Sequence, residues 1–205
     1  MTGVGILFFA IVMYIDIRIV YLIGERVGEI MIRLRPYKLS DYEYISNWFN
    51  NEFAFKQWCA DKFTYPLTKE QLNEYYHNCE NDDNAWIMTA LNQEGTPVGH
   101  FLMRMADYQN ESIHLGFIIV DSQVRGQGYG KEMVSLAIKY AFDILKVNRV
   151  TLGVFDNNFP AHYCYKSTGF VDEKYNEDIF PYGNDKRWFI NRKSMILRHL
   201  YFISA

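Results

Sequence analysis

The stretch from Ile113 to Phe170 constrains this chain more than any other. Ser112–Val120 is an apolar run that reads as a strand. QVRGQGYG follows at Gln123–Gly130. Then Met133, Leu136, Ala137, Tyr140, Ala141, Ile144 and Leu145 recur at the helical period and give one apolar face. Arg149–Phe155 is β-branched and apolar, a buried strand. Asn158 suits the N-cap of a second helix, Pro160 is tolerated in its first turn, and Gly169 suits its C′ position.

The flanking sequence continues the alternation. Met31–Arg35 alternates apolar and basic residues, as a half-buried strand does, and Pro36 stops it. Ser40 with Glu43 forms a capping-box pattern that predicts a helix from Asp41 to about Asn50. Thr68 with Gln71 predicts a second helix, ending near His77 to Cys79. Ala85–Leu91, Val98–Ala106 and Ser112–Val120 read as three strands of a meander, turned at Gln93–Pro97 and therefore largely antiparallel. Two more strands, near Phe170–Tyr175 and Arg187–Leu197, flank a loop rich in Asp, Asn, Pro and Gly. The expected fold is one mixed α/β domain over residues 31–197, with a C-terminal tail at 198–205.

Composition narrows the function. Of 205 residues, 49% are hydrophobic and 22% charged, which excludes a largely disordered chain. A formal net charge of −3 argues against a nucleic-acid partner, which would require a concentrated basic face, and suits a cationic substrate such as an amine. Cys59, Cys79 and Cys164 form no C-x-x-C pair, so neither a disulfide framework nor a metal site is expected, and a reducing, cytoplasmic location fits.

The first thirty residues read differently. Ile6–Ile23 is apolar except for Asp16 and Arg18, and two central charges weigh against a membrane helix. Residues 1–5 carry no basic side chain and no A-x-A cleavage pattern follows, against a secretory signal. The expectation is a translated leader or misassigned start ahead of Met31. A hydrophobic anchor, or an added strand or helix of the domain, is the alternative.

Gly126, Gly128 and Gly130 carry the chemistry of the informative segment. Glycine lets a backbone approach a ligand and adopt positive φ. A turn of this kind opening a helix points free N–H groups and the positive dipole end outward, an arrangement that holds pyrophosphate. Arg125 adds a positive charge. No G-x-x-x-x-G-K-[ST] is present, and the only acidic residue at about the right distance, Asp143, lies inside the helix, so neither a P-loop nor a dinucleotide fingerprint is matched.

Arg125–Gly130 resembles the Q/R-x-x-G-x-G/A motif of the GNAT superfamily of acyl-CoA-dependent N-acetyltransferases. Asn158, Ala161, Tyr165, Gly169 and Phe170 match a second pattern of that family, N-x-x-A-x-x-x-Y-x-x-x-G-F. The opening LRPYKLSDYEYISNWF is also similar, more loosely, to the branch that contains ribosomal-protein N-terminal acetyltransferases. The resemblance implies a twisted, largely antiparallel sheet flanked by helices, in which one strand splays from its neighbour and acetyl-CoA lies in the gap.

It also implies roles. The pyrophosphate would sit on the N–H groups of Gln127, Gly128, Tyr129 and Gly130, beside Arg125 and Gly126. Pantetheine would pair with the edge of Gly116–Val120, through Ile118 and Val120, and an N–H of that strand would polarise the thioester carbonyl. Tyr165 matches the general acid that protonates the departing thiolate. Asn158 matches a position that contacts pantetheine, and equally suits a plain N-cap. His114 is near the position where many members place a carboxylate base; a structural strand histidine is the competing reading, with Glu111 a second candidate. His162 is expected at the surface and Cys164 in the core.

The acceptor side would be lined by Trp48, Phe49, Phe53, Phe55 and Trp58, and by Tyr175, Glu177, Asp178 and Tyr182, a mixture of rings and acids that suits a cation; core aromatics with a solvated acidic loop are the competing reading. The resulting expectation is acetyl transfer from acetyl-CoA to a primary amine on a small molecule or peptide, without a metal and without a membrane, in a chain that pairs as a homodimer. A non-catalytic acyl-CoA sensor or interaction module of the same fold is the alternative.

Overall fold

The computed structural model describes residues 30–176 and 192–198. The leader reading, the acceptor residues Glu177, Asp178 and Tyr182, and the tail beyond Arg198 lie outside the described residues.

A seven-stranded sheet organises the described residues: β1 (Arg33–Pro36), β2 (Trp86–Leu91), β3 (Pro97–Asp107), β4 (Ser112–Val120), β5 (Arg149–Phe155), β6 (Val171–Asn176) and β7 (Arg192–Arg198). Their spatial order is β1-β2-β3-β4-β5-β7-β6. Every neighbouring pair is antiparallel except β4 and β5, which run parallel. The mixed, largely antiparallel sheet flanked by helices is therefore the one expected from the sequence.

Among the described residues, three helices precede the meander: α1 (Tyr42–Ile45), α2 (Glu52–Cys59) and α3 (Lys69–Glu80). They cover one face, where Ile45, Trp48, Phe55, Leu67 and Leu72 pack with Ile87, Leu102 and Ile119. Burying each such side chain contributes about 1.5–3 kcal/mol. Two later helices, α4 (Tyr129–Asp143) and α5 (Phe159–Ser167), follow among the described residues. The buried stripe of α4, Met133, Val134, Ala137 and Ala141, follows the predicted helical period, and α4 packs on β3 and β4. Gly99 of β3 admits that contact: a Cβ there would lie 2.5 Å from the sulfur of Met133.

The helix expected over Asp41–Asn50 is only one turn long, and a separate helix follows beyond that span. A 3₁₀ turn at Leu39–Asp41 leads into the one-turn α1, and α2 starts afresh on Asn51, whose side chain accepts from the Ala54 N–H at 2.9 Å. The Ser40–Glu43 capping box is not used, because Asp41 itself turns inward. Its carboxylate is 1% exposed. It takes both arms of the Arg35 guanidinium at 2.7 Å, the Lys38 N–H at 3.0 Å and the Thr89 hydroxyl at 2.7 Å. That network ties the first helical turn to β1 and β2. Thr68 caps α3 as predicted, accepting from the Gln71 N–H at 3.3 Å.

Candidate active site

β4 and β5 are paired over four residues only, from Ser112 opposite Arg149 to Leu115 opposite Leu152. Both strands continue, and beyond Leu115 and Leu152 they part. On its other side β4 carries a bulge: Leu102 faces Gly116 and His100 faces Ile119, so Phe117 and Ile118 together oppose Phe101. Phe117 sits at φ +48°, in the left-handed region.

A cavity of about 690 Å³ opens where the strands part. One wall is Phe117–Val120 of β4 and the other is Gly153–Phe155 of β5. Arg125, Gly126, Gly128, Gly130 and Lys131 form one end, and Phe53, Gln57 and Trp58 of α2 form the other. Asn158 and Tyr165 line it from α5.

The glycine end is shaped by backbone conformation. Asp121 accepts from the Gln123 N–H at 2.9 Å and starts a 3₁₀ turn at Ser122–Val124. Gly126 and Gly128 then take φ of +76° and +96°, which only glycine adopts without strain, and Gly128 caps α4. The Gln127 N–H donates to the Val124 carbonyl at 3.4 Å. The first hydrogen bond closed within α4 is from the Glu132 N–H to the Gly128 carbonyl. The N–H groups of Tyr129, Gly130 and Lys131 are therefore the ones a bound anion can meet. The side chains of Gln127 and Tyr129 do not line the cavity. Lys131, which the sequence reading passed over, does; it is the residue just after the motif, in the first turn of α4, and its position there was the signal that could have found it.

Arg125 is more of a strut than a free charge. Its Nε donates to the Val120 carbonyl at 3.1 Å and its Nη2 to the Trp48 carbonyl at 3.0 Å. Partial burial lowers its pKa, with Asp121 opposing, but a guanidinium keeps its charge. The side chain thus joins the end of β4, the glycine loop and the segment after α1.

Tyr165 is 6% exposed. Burial raises its pKa well above the ordinary tyrosine value, with Cys164 adding to the effect, so the phenol stays protonated through the neutral range. Asn158 caps α5, accepting from the Ala161 N–H at 3.3 Å, and also lines the cavity. Cys164 is half-buried against the glycine loop, its sulfur 3.5 Å from where a Gly130 Cβ would lie. Across the cavity mouth, Gln57 of α2 donates to the Asn157 side chain at 3.1 Å.

Of the two readings of His114, its surroundings favour the strand histidine with a hydrogen bond. It does not line the cavity, and its Nδ1 lies 3.0 Å from the Thr151 hydroxyl, which in turn donates to the Ile113 carbonyl. It comes before the bulge, where β4 is still paired with β5, so its side chain is held at the sheet instead of in the gap. Glu111 lies in the turn before β4, hydrogen-bonded to the Asn148 side chain. His162 is at the surface as expected, paired with Asp172.

The sequence profile of the Acetyltransferase (GNAT) family matches residues 44–170. The chain belongs to that family. As a GNAT enzyme it is an acetyl-CoA-dependent N-acetyltransferase that acetylates a primary amine. The chain is 22% identical over 181 residues to the spermidine N(1)-acetyltransferase of Vibrio cholerae, covering 85% of this chain and 94% of that one. The crystal structure of spermidine N-acetyltransferase from Vibrio cholerae in complex with CoA and spermine superposes with a TM-score of 0.68 at 23% identity. That match covers 82% of this chain and 95% of the other. A dodecameric structure of the same enzyme gives 0.63 at 21% identity, over 82% and 93%. Among the described residues, no helix of this GNAT chain is long and apolar enough to cross a membrane.

Proposed function

We propose that this chain acetylates a polyamine of the spermidine class. The observation that carries the reading is the cleft itself. It runs from a glycine-capped helix terminus to an aromatic wall, with a buried phenol between, and the related spermidine N(1)-acetyltransferase of Vibrio cholerae supplies the acceptor class.

Acetyl-CoA fits the chain's own groups. The N–H groups of Tyr129 to Lys131, with the Arg125 and Lys131 cations, would hold pyrophosphate. The open edge of β4 at Ile118 and Val120 would pair with pantetheine amides, beside Asn158. The aromatic wall of Phe53 and Trp58, with the Gln57 and Asn157 amides at the mouth, suits an extended cation. In the reaction the neutral amine nitrogen attacks the thioester carbon. The C–N bond forms, the C–S bond breaks, the electron pair leaves on sulfur, and Tyr165 gives that thiolate its proton. The ammonium formed at the attacking nitrogen loses its proton to water at the open end, Tyr165 takes a proton back from solvent to close the cycle, and no base role falls to His114.

We place the reaction in the cytoplasm, supported by three free thiols. Self-association is part of the reading, supported by the dodecameric relative, and light scattering of the purified chain tests it.

The deciding experiment is CoA-thiol release from acetyl-CoA with spermidine, spermine, aminoglycosides, amino acids and N-terminal peptides. Saturable turnover is expected with spermidine or spermine. Turnover confined to peptides or aminoglycosides overturns the polyamine assignment.

A further inference from the structure

We infer that Trp58 is a positioning residue for acetyl transfer: its indole N–H holds the Phe117–Ile118 peptide of the β4 bulge, and with it the backbone donor that faces the thioester. The inference rests on the acetyl-CoA reading above for what occupies the cleft.

Trp58 Nε1 donates to the Phe117 carbonyl at 2.8 Å. That carbonyl belongs to the bulge at which β4 leaves β5, and Phe117 holds a φ of +48° that bulky L-residues rarely take. A strained bulge persists only if its surroundings over-determine it. Here the surroundings are rings. The Trp58 indole stacks on Phe63 with centroids 5.4 Å apart and planes at 14°. It meets Phe49 at 5.0 Å and the Phe117 ring edge-on at 5.5 Å. The indole therefore has a fixed direction, and so has its N–H.

A trans peptide holds its C=O and N–H antiparallel. Anchoring the Phe117 carbonyl on Trp58 turns the Ile118 N–H the opposite way, and Phe117, Ile118 and Trp58 all line the cleft. One hydrogen bond from α2 thus sets the orientation of the peptide at the vertex of the gap, where the carbonyl to be polarised would lie. Preorganised donors of this kind need no reorientation as charge develops on the oxygen.

The test replaces Trp58 with Phe, and separately with benzothienylalanine, which keeps the bicyclic shape and lacks only the N–H. Two readouts are taken. In turnover with the acceptor amine, kcat is expected to fall about tenfold or more, while acetyl-CoA affinity stays within about twofold; loss of an oxyanion donor outright costs roughly 10²–10³. In difference infrared spectra with 13C-carbonyl acetyl-CoA, the bound thioester stretch is expected below that of free acetyl-CoA in the natural protein, and to return toward it in both variants. Equal kcat and equal stretch in the benzothienylalanine protein overturn the inference, as does an unshifted stretch in the natural protein. The infrared result stands apart from turnover. If the natural protein binds acetyl-CoA and acetylates no amine, the acceptor reading fails while the stretch still decides the role of Trp58.

Discussion

Tyr165 and His114 present opposite environments to a reacting group. The Tyr165 phenol is buried and lines the cleft, with burial holding it protonated. Tyr165→Phe is expected to lower kcat about 10²-fold, within the range for general acid–base catalysis, with acetyl-CoA affinity changed less than about twofold in equilibrium titration. Because burial moves its titration upward, the natural enzyme should show no alkaline loss of kcat from this group up to its ordinary pKa of about 10. His114 is held by Thr151 away from the cleft. His114→Gln should leave kcat within about threefold, and a loss near 10²-fold would restore it as the base. Both residues stood out in the sequence, and only Tyr165 lies on the cleft. Tyr165 belongs to a dense motif on a single helix, where spacing fixes direction. His114 was placed by counting back from the glycine loop, and the bulge at Phe117 inserts a residue between, which breaks the alternation on which that count depends.

Elements were legible where local chemistry governs them. Thr68 capped its helix, Gly128 opened α4, and the apolar stripe of α4 found the sheet. The segment from Leu39 to Cys59 was not, because a distant contact decides it: Asp41 gives up its place as a solvated first-turn residue to bind Arg35 and Thr89. Nothing within ten residues of Asp41 announces Thr89. The same holds for Trp58, legible only as one ring among many until β4 is seen to offer it a carbonyl. At this scale the Arg125 strut makes a prediction. Arg125→Ala removes two hydrogen bonds from a charged donor, each worth about 1.5–3 kcal/mol, and frees the loop from β4 and α1. The KM for acetyl-CoA should rise about tenfold or more with a smaller change in kcat, read from initial rates at saturating amine.

For the molecule as a whole, the buried polar groups set a pH limit. His100 is 0% exposed, packed edge-on against Tyr37, and neither ring nitrogen has a partner among the described residues. Burial pushes its pKa down from 6.5 to about 4, with Asp41 opposing. The unfolded chain therefore binds a proton that the folded chain refuses. Stability is at its full value above pH 6.5, and is lost as pH falls through 6.5 toward about 4. The loss from this group is about 3 kcal/mol. Burial alone would raise the Asp41 pKa, but Arg35, the Lys38 N–H and Thr89 hold it below the ordinary value, so its share is lost at still lower pH. Urea unfolding at pH 7 and pH 5 should show the first loss, and His100→Phe should flatten it. In the other direction, acetyl-CoA at 100 times its Kd should add about 2.7 kcal/mol. At roughly 2–4 °C per kcal/mol for a chain of this length, the thermal midpoint should rise by about 5–11 °C.

Four paired residues join β4 to β5, and this has a consequence for timing. The sheet is two leaves, β1–β4 and β5–β7, bound at the foot of a common spine. A ligand laid between the leaves acts as a borrowed strand, and its release requires them to part about those four rungs. On the proposed placement of CoA, its residence time is then expected to be governed by Ser112–Leu115 and Arg149–Leu152, and less by the glycine loop. Amide hydrogen exchange at these rungs should slow on CoA binding in step with the dissociation rate. A turnover limited by product release would then be limited by the opening of a book.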